Sequence, residues 1–147
     1  MTTTNIIRFI CALGFAASTA VWAGSDPAAP AVENRHVVVV TYFMTDVRCK
    51  SCRKIEALTR QTLQNRFANE LADGSVQFRT INIDRPENAH YIDSYELSFK
   101  TVVVSDMNGD AEARWVRMDN VWQLLGKPDK FEQYIADAVS AYVGKTE

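Results

Sequence analysis

The chain has 147 residues, 47% apolar, 23% charged and 10% aromatic, with 6 Gly and 4 Pro, proportions that exclude a disordered, collagen-like or repeat-array protein and suit one small globular domain. Its 16 basic residues against 18 acidic ones give a formal net charge of -2, so no basic excess points to nucleic acid or an anionic membrane surface. Three cysteines are too few to staple a mini-protein but enough for a redox pair or part of a metal site.

Residues 6–23 form a largely apolar stretch interrupted by Arg8, the only charge before Asp26. Small residues gather toward the end of that run, and Val21-Trp22-Ala23 gives way at once to polar Gly24-Ser25-Asp26. The pattern predicts a signal peptide over 1–23, cleaved near Ala23, and a periplasmic or secreted mature protein. An uncleaved anchor is the competing reading, but a run interrupted by Arg8 is marginal for a span of about 20 residues. Cys11 lies inside the run rather than just after it, which argues against a lipid anchor. Cleavage removes Cys11 and leaves Cys49 and Cys52 as the only cysteines. A loop that short gains little chain entropy as a staple, so the pair must be explained by its chemistry.

Residues 24–36, rich in Ala and Pro, are expected to be a flexible leader, and 37–144 one domain. The β-branched and aromatic run over 37–43 reads as a strand buried on both faces. A long helix is predicted over 49–72, with Ile55, Leu58, Leu63, Phe67 and Leu71 on its apolar side and Asp73-Gly74 as its stop. Residues 76–83 alternate as a second strand, and Asp84 is expected to cap a short helix with Pro86 in its first turn. A third strand over 101–105, an Asn108-Gly109 turn and a returning strand over 114–118 form a hairpin. Asp119 is expected to cap a short helix ending at Gly126. Pro128 opens the last helix, with Phe131, Tyr134, Ile135, Ala138 and Tyr142 as its stripe. The fold class is therefore α/β, about four mixed strands flanked by helices on both sides, with the first two strands parallel through a crossover.

Cys49-Lys50-Ser51-Cys52 lies where a buried strand gives way to a helix. The first turn of a helix presents unpaired N–H groups and the positive end of the macrodipole. A thiolate at Cys49 is stabilised there and becomes the attacking sulfur near neutral pH; Cys52, one turn inward, resolves the mixed disulfide. Arg48, Lys50, Arg53 and Lys54 crowd the same helix start, offset in part by Asp46 and Glu56. These cations oppose the dipole, so either they tune a thiolate or attract an anionic partner, or they form an ordinary solvated face.

A β-branched strand, a loop, Cys-x-x-Cys opening a long helix, and a downstream hairpin resemble the thioredoxin fold, over roughly residues 36–144. More narrowly, residues 42–52, 83–88 and 121–126 resemble the ArsF-like family, whose members are labelled nitrophenyl compound nitroreductase subunits. That resemblance implies a three-layer thioredoxin-like sandwich, a protein thiol or disulfide partner, membrane-bound or periplasmic, and a link to a nitroaromatic- or arsenic-linked redox system. The sequence departs from ordinary thioredoxins twice. Lys100 stands where the resemblance places a cis-proline, and a trans bond is expected there because a non-proline cis bond costs about 2.5–4 kcal/mol. Thr41 stands near the place of the usual buried acid.

Both departures favour a specialised partner or another use of the thiols. If the Lys100 loop faces Cys49, its ammonium lowers that thiol's pKa; otherwise it points to solvent. His36 and His90 lack a recognisable zinc spacing and read as surface residues, while Trp115 and Trp122 read as packing residues. No phosphate loop and no flavin or nicotinamide fingerprint is present. The expected function is extracytoplasmic thiol–disulfide exchange through Cys49 and Cys52, with no cofactor beyond their disulfide and no metal. Arg48, Lys50 and Lys100 are the candidates for tuning or docking. The alternatives are a dithiol that binds a soft metal or metalloid, and a redox-inert accessory subunit.

Overall fold

Val37 to Phe43 alternate between two apolar surroundings, and the strand they form, β1 (His36–Met44), lies at the middle of the sheet. The computed structural model describes residues 35–144; the expected signal peptide and nearly all of the expected leader lie outside them. Four strands line up in the order β2-β1-β3-β4, with β2 at Val76–Asn82, β3 at Val102–Asn108 and β4 at Ala111–Arg117. β1 pairs parallel with β2, Val40 opposite Phe78, and antiparallel with β3, Val40 opposite Val104. The helices are α1 (Lys50–Arg66), α2 (Ala68–Asp73), α3 (His90–Ser94) and α4 (Pro128–Val143). This β1-α1-α2-β2-α3-β3-β4-α4 arrangement is the thioredoxin-like architecture expected from the sequence.

Strand alternation sends β1 side chains into two cores. Val38, Val40 and Tyr42 join Ile55 and Leu63 of α1 and Phe131, Ile135 and Val139 of α4. On the other face Phe43 and Val103 meet Leu97, with Tyr91 and Tyr95 packed over them. The Phe43 ring lies tilted against Tyr95 at 5.3 Å, and Tyr95 meets Trp115 edge-on at the same distance. The outer strand β4 is largely exposed and carries Glu112, Arg114 and Arg117, charges that blunt a free sheet edge.

Several boundaries differ from the sequence reading. The single long helix is two, broken at Phe67, whose backbone leaves the helical region at φ -136 and ψ 37 while its ring stays buried. Leu63, Phe67 and Leu71 recur every four residues, so on one unbroken helix of 3.6 residues per turn they drift by about 40° per step. The break resets the rotation and keeps Phe67 and Leu71 against the core. Asp84 does not cap the following helix. It accepts the Asp46 N–H at 2.8 Å, and the chain continues through a 3-10 turn, Pro86–Asn88, before α3. Asp119 likewise accepts from Arg117 Nε at 2.7 Å rather than capping its 3-10 turn, Asp119–Trp122. The hairpin is longer than expected: Asn108 ends β3 and the turn is Gly109-Asp110, with Gly109 at φ 61, a left-handed conformation open to glycine. In α4 the buried stripe is Phe131, Ile135, Ala136 and Val139, while Tyr134, Ala138 and Tyr142 flank it half-buried. His36 belongs to β1 rather than to the leader.

Candidate functional site

β1 delivers the chain to a five-residue loop, Thr45 to Cys49, that side chains from β2 and beyond hold in place. Asn82 Nδ2 donates to Asp46 Oδ1 at 2.7 Å, Arg85 reaches the same oxygen at 3.3 Å, and Asp84 takes the Asp46 N–H. At the far end of the loop, Arg53 Nη1 donates to the Arg48 carbonyl at 2.8 Å. Cys49 is the N-cap of α1, with extended backbone and its Sγ accepting the Cys52 N–H at 3.2 Å. Its sulfur thus occupies the place a serine or aspartate oxygen takes in an ordinary cap.

Cys49 and Cys52 are joined by a disulfide with Cα atoms 5.1 Å apart. Cys49 is exposed and Cys52 is 0% exposed. That asymmetry leaves Cys49 open to an approaching group and Cys52 shielded from one. The Cys52 N–H and the helix start favour negative charge on Cys49 Sγ once the bond opens.

The cations behave differently from one another. Arg48 is ion-paired with Glu56, and its Nε is buried without a hydrogen-bond partner among the described residues. Lys50, Arg53 and Lys54 are exposed on the first turn of α1, which carries no acidic residue. Lys100 turns inward: Nζ donates to the Val47 carbonyl at 2.7 Å and lies 3.6 Å from Cys52 Sγ. It therefore reaches the second cysteine, and neither faces the first nor points free into solvent, the two placements expected from the sequence. All described peptide bonds are trans, including the one before Thr101.

Two residues given no site role from the sequence, Trp122 read there as packing and Tyr42 as part of the first strand, shape the site. Trp122 Nε1 donates to the Lys100 carbonyl at 2.7 Å, and its ring meets Phe99 edge-on at 6.5 Å; the indole N–H of a half-buried tryptophan needs an acceptor, which was the available signal. Tyr42, rather than Thr41, is the β1 residue facing α1; Thr41 lies on the opposite face beside Phe43, Tyr91 and Tyr95. The Tyr42 hydroxyl is buried without a partner among the described residues, and burial, countered by the nearby Arg48 charge and reinforced by Glu56, pushes its pKa up to about 12. Val47 at 74% and Phe99 at 47% exposure present apolar surface on the two segments bordering the disulfide.

The histidines stand apart from the cysteines. His36 pairs with buried Asp106, which also holds Arg114 at 2.7 Å, and the His90 ring lies tilted against Tyr91. Among the described residues no group of three or more His, Cys, Asp or Glu is placed to hold a metal ion.

No protein family's profile matches the chain, and no curated protein matches it. Among solved structures, the chain is similar to thioredoxin O2 from Arabidopsis thaliana in its oxidized state, at 18% identity over 65% of this chain and 76% of that one, with a TM-score of 0.40. It is similar also to thioredoxin from Trypanosoma brucei brucei, at 19% identity over 74% and 80% of the two chains and a TM-score of 0.42. A third likeness is to Fasciola hepatica thioredoxin, at 18% identity, 67% and 85% coverage and a TM-score of 0.39.

Proposed function

We propose that this protein performs thiol–disulfide exchange outside the cytoplasm, Cys49 being the sulfur that exchanges with a protein partner and Cys52 the one that resolves. The observation that carries the reading is the pairing of an exposed sulfur, set as the cap of α1, with a fully buried one. In the oxidising direction a partner thiolate attacks Cys49 Sγ, the Cys49–Cys52 bond breaks, and its electron pair stays on Cys52. A second partner thiolate then displaces Cys49, leaving a partner disulfide and a reduced pair. The reverse sequence, begun by Cys49 thiolate, reduces a partner disulfide by the same two electrons.

The apolar run ending at Ala23 supports export, with cleavage near that residue. The resemblance of residues 42–52, 83–88 and 121–126 to the ArsF-like family supports a partner in a nitroaromatic- or arsenic-linked redox system. Such a partner is a membrane or periplasmic protein that carries the electron chemistry on another chain.

Trapping tests the reading. A Cys52→Ala variant is expected to accumulate mixed disulfides with partner proteins, detected as bands lost on reduction, whereas Cys49→Ala accumulates none. Retention of Cu(I) or trivalent arsenic by the reduced protein, with no exchange, replaces the reading with that of a dithiol binding module. Absence of both leaves a docking subunit.

A further inference from the structure

The proposed exchange leaves a specific electrostatic problem. Each time a partner attacks Cys49, the electron pair of the broken bond is left on Cys52, whose residue has no exposure to water. A charge released into such a place is costly unless something pairs with it. The segment before β3 supplies a cation at that point: Lys100 Nζ lies 3.6 Å from Cys52 Sγ.

Its position is fixed from both ends. The Val47 carbonyl accepts one of the three ammonium donors at 2.7 Å, leaving two for the sulfur and for solvent. The Lys100 carbonyl is itself held by Trp122 Nε1. The side chain therefore bridges the loop before Cys49 and the buried sulfur of the pair. Arg48, the other cation near the pair that is not fully exposed, is already committed to Glu56.

We propose that Lys100 is the counter-cation of the Cys52 thiolate, holding the negative charge that appears when the disulfide opens. This rests on the exchange reading and deepens it. In the step, a thiolate RS⁻ bonds to Cys49 Sγ, the Cys49–Cys52 bond breaks, and Cys52 leaves as a thiolate paired with the ammonium. The charge before and after is the same and no proton has to move. Two consequences follow from pairing the leaving group. The disulfide is reduced faster, because a stabilised thiolate leaves more readily. The dithiol form is also favoured at equilibrium, which makes the disulfide a stronger oxidant.

The test compares wild-type, Lys100→Met, Lys100→Gln and Lys100→Arg proteins, all as the full chain with Cys11→Ser so that only the pair reports. Each is equilibrated against glutathione redox buffers at neutral pH, and its disulfide is reduced separately by glutathione with the rate recorded. Lys100→Met and Lys100→Gln are expected to shift the equilibrium at least tenfold toward the disulfide, about 30 mV for a two-electron couple, and to slow reduction by a similar factor. Lys100→Arg retains most of both. Because the backbone carbonyl, not the side chain, meets Trp122, these substitutions leave that contact in place, and Gln keeps a donor for the Val47 carbonyl. An unchanged equilibrium and rate in both neutral variants overturns the proposal, whatever happens to their melting temperatures, and leaves Lys100 as a staple of the Val47 loop. A wild-type pair that does not equilibrate reversibly with glutathione overturns the exchange reading itself, a result distinct from the first.

Discussion

Tyr42 shows how one side chain can sit at odds with its surroundings. Its ring fills the core between β1 and α1, yet its hydroxyl is buried with no hydrogen-bond partner among the described residues. Leaving a polar group buried and unpaired costs roughly 1–3 kcal/mol. Tyr42→Phe keeps the ring and removes the unpaired atom, so it is expected to leave stability unchanged or raise it by about 1 kcal/mol in urea unfolding. A loss of more than that amount shows that the hydroxyl is satisfied in solution and belongs to the polar cluster with Arg48 and Glu56. By contrast, Cys49 and Cys52 differ in burial although they sit one helical turn apart, and on that difference rest the roles proposed for them, attacked sulfur and leaving one.

Helix α1 breaks a local rule at its start. Its first turn has no acidic residue and carries Lys50, Arg53 and Lys54, where the dipole favours negative charge. Lys50→Glu is therefore expected to act in opposite directions on two readouts. Stability rises by about 0.3–1 kcal/mol through the dipole, while the Cys49 thiolate is disfavoured, its pKa rises and alkylation of the reduced protein slows. Faster alkylation, or a loss of stability, contradicts the view that the basic start serves the sulfur at the expense of the helix. The interruption at Phe67 has a different origin, since it preserves core contacts that a continuous helix carries away.

Taken as a whole, the molecule places its chemistry at one end of β1 and a structural clasp at the other. Around His36, buried Asp106 joins Arg114, whose guanidinium lies over Tyr142 of α4. Around Met44 lie the loop, the cap and the disulfide. The two cores on either side of the sheet each contain a tyrosine, Tyr42 and Tyr95, whose pKa is raised from 10.0 to about 12, chiefly by burial. For Tyr95 the hydrogen bond to Glu112 adds to the same direction. With the folded pKa above the unfolded one, the folded state holds more protons in that interval, so stability falls as pH rises from about 10 toward about 12. Urea unfolding across this interval is expected to show the decline, with a shallower slope in Tyr42→Phe. A pH-independent midpoint there contradicts the assignment.

The strand-helix-strand order, the central burial of β1 and the place of Cys49 and Cys52 at a helix start were legible in residue patterns, because each depends on near neighbours: a β-branched run, a helical apolar period, a Cys-x-x-Cys spacing. Other features depend on residues far apart in sequence. Lys100 meets Cys52 across 48 intervening steps, Asp84 leaves its expected cap to bind Asp46 at a separation of 38, and Trp122 finds the Lys100 carbonyl 22 residues away. No periodicity encodes such meetings. The face toward which Tyr42 or Thr41 points was readable in principle from β1's alternation, but which face lies beneath α1 was settled by how the sheet and helices pack. Local propensity and spacing therefore established the frame and the reactive pair, whereas the environment of each sulfur arose from long-range packing, which alone determines burial and the position of the nearest charge.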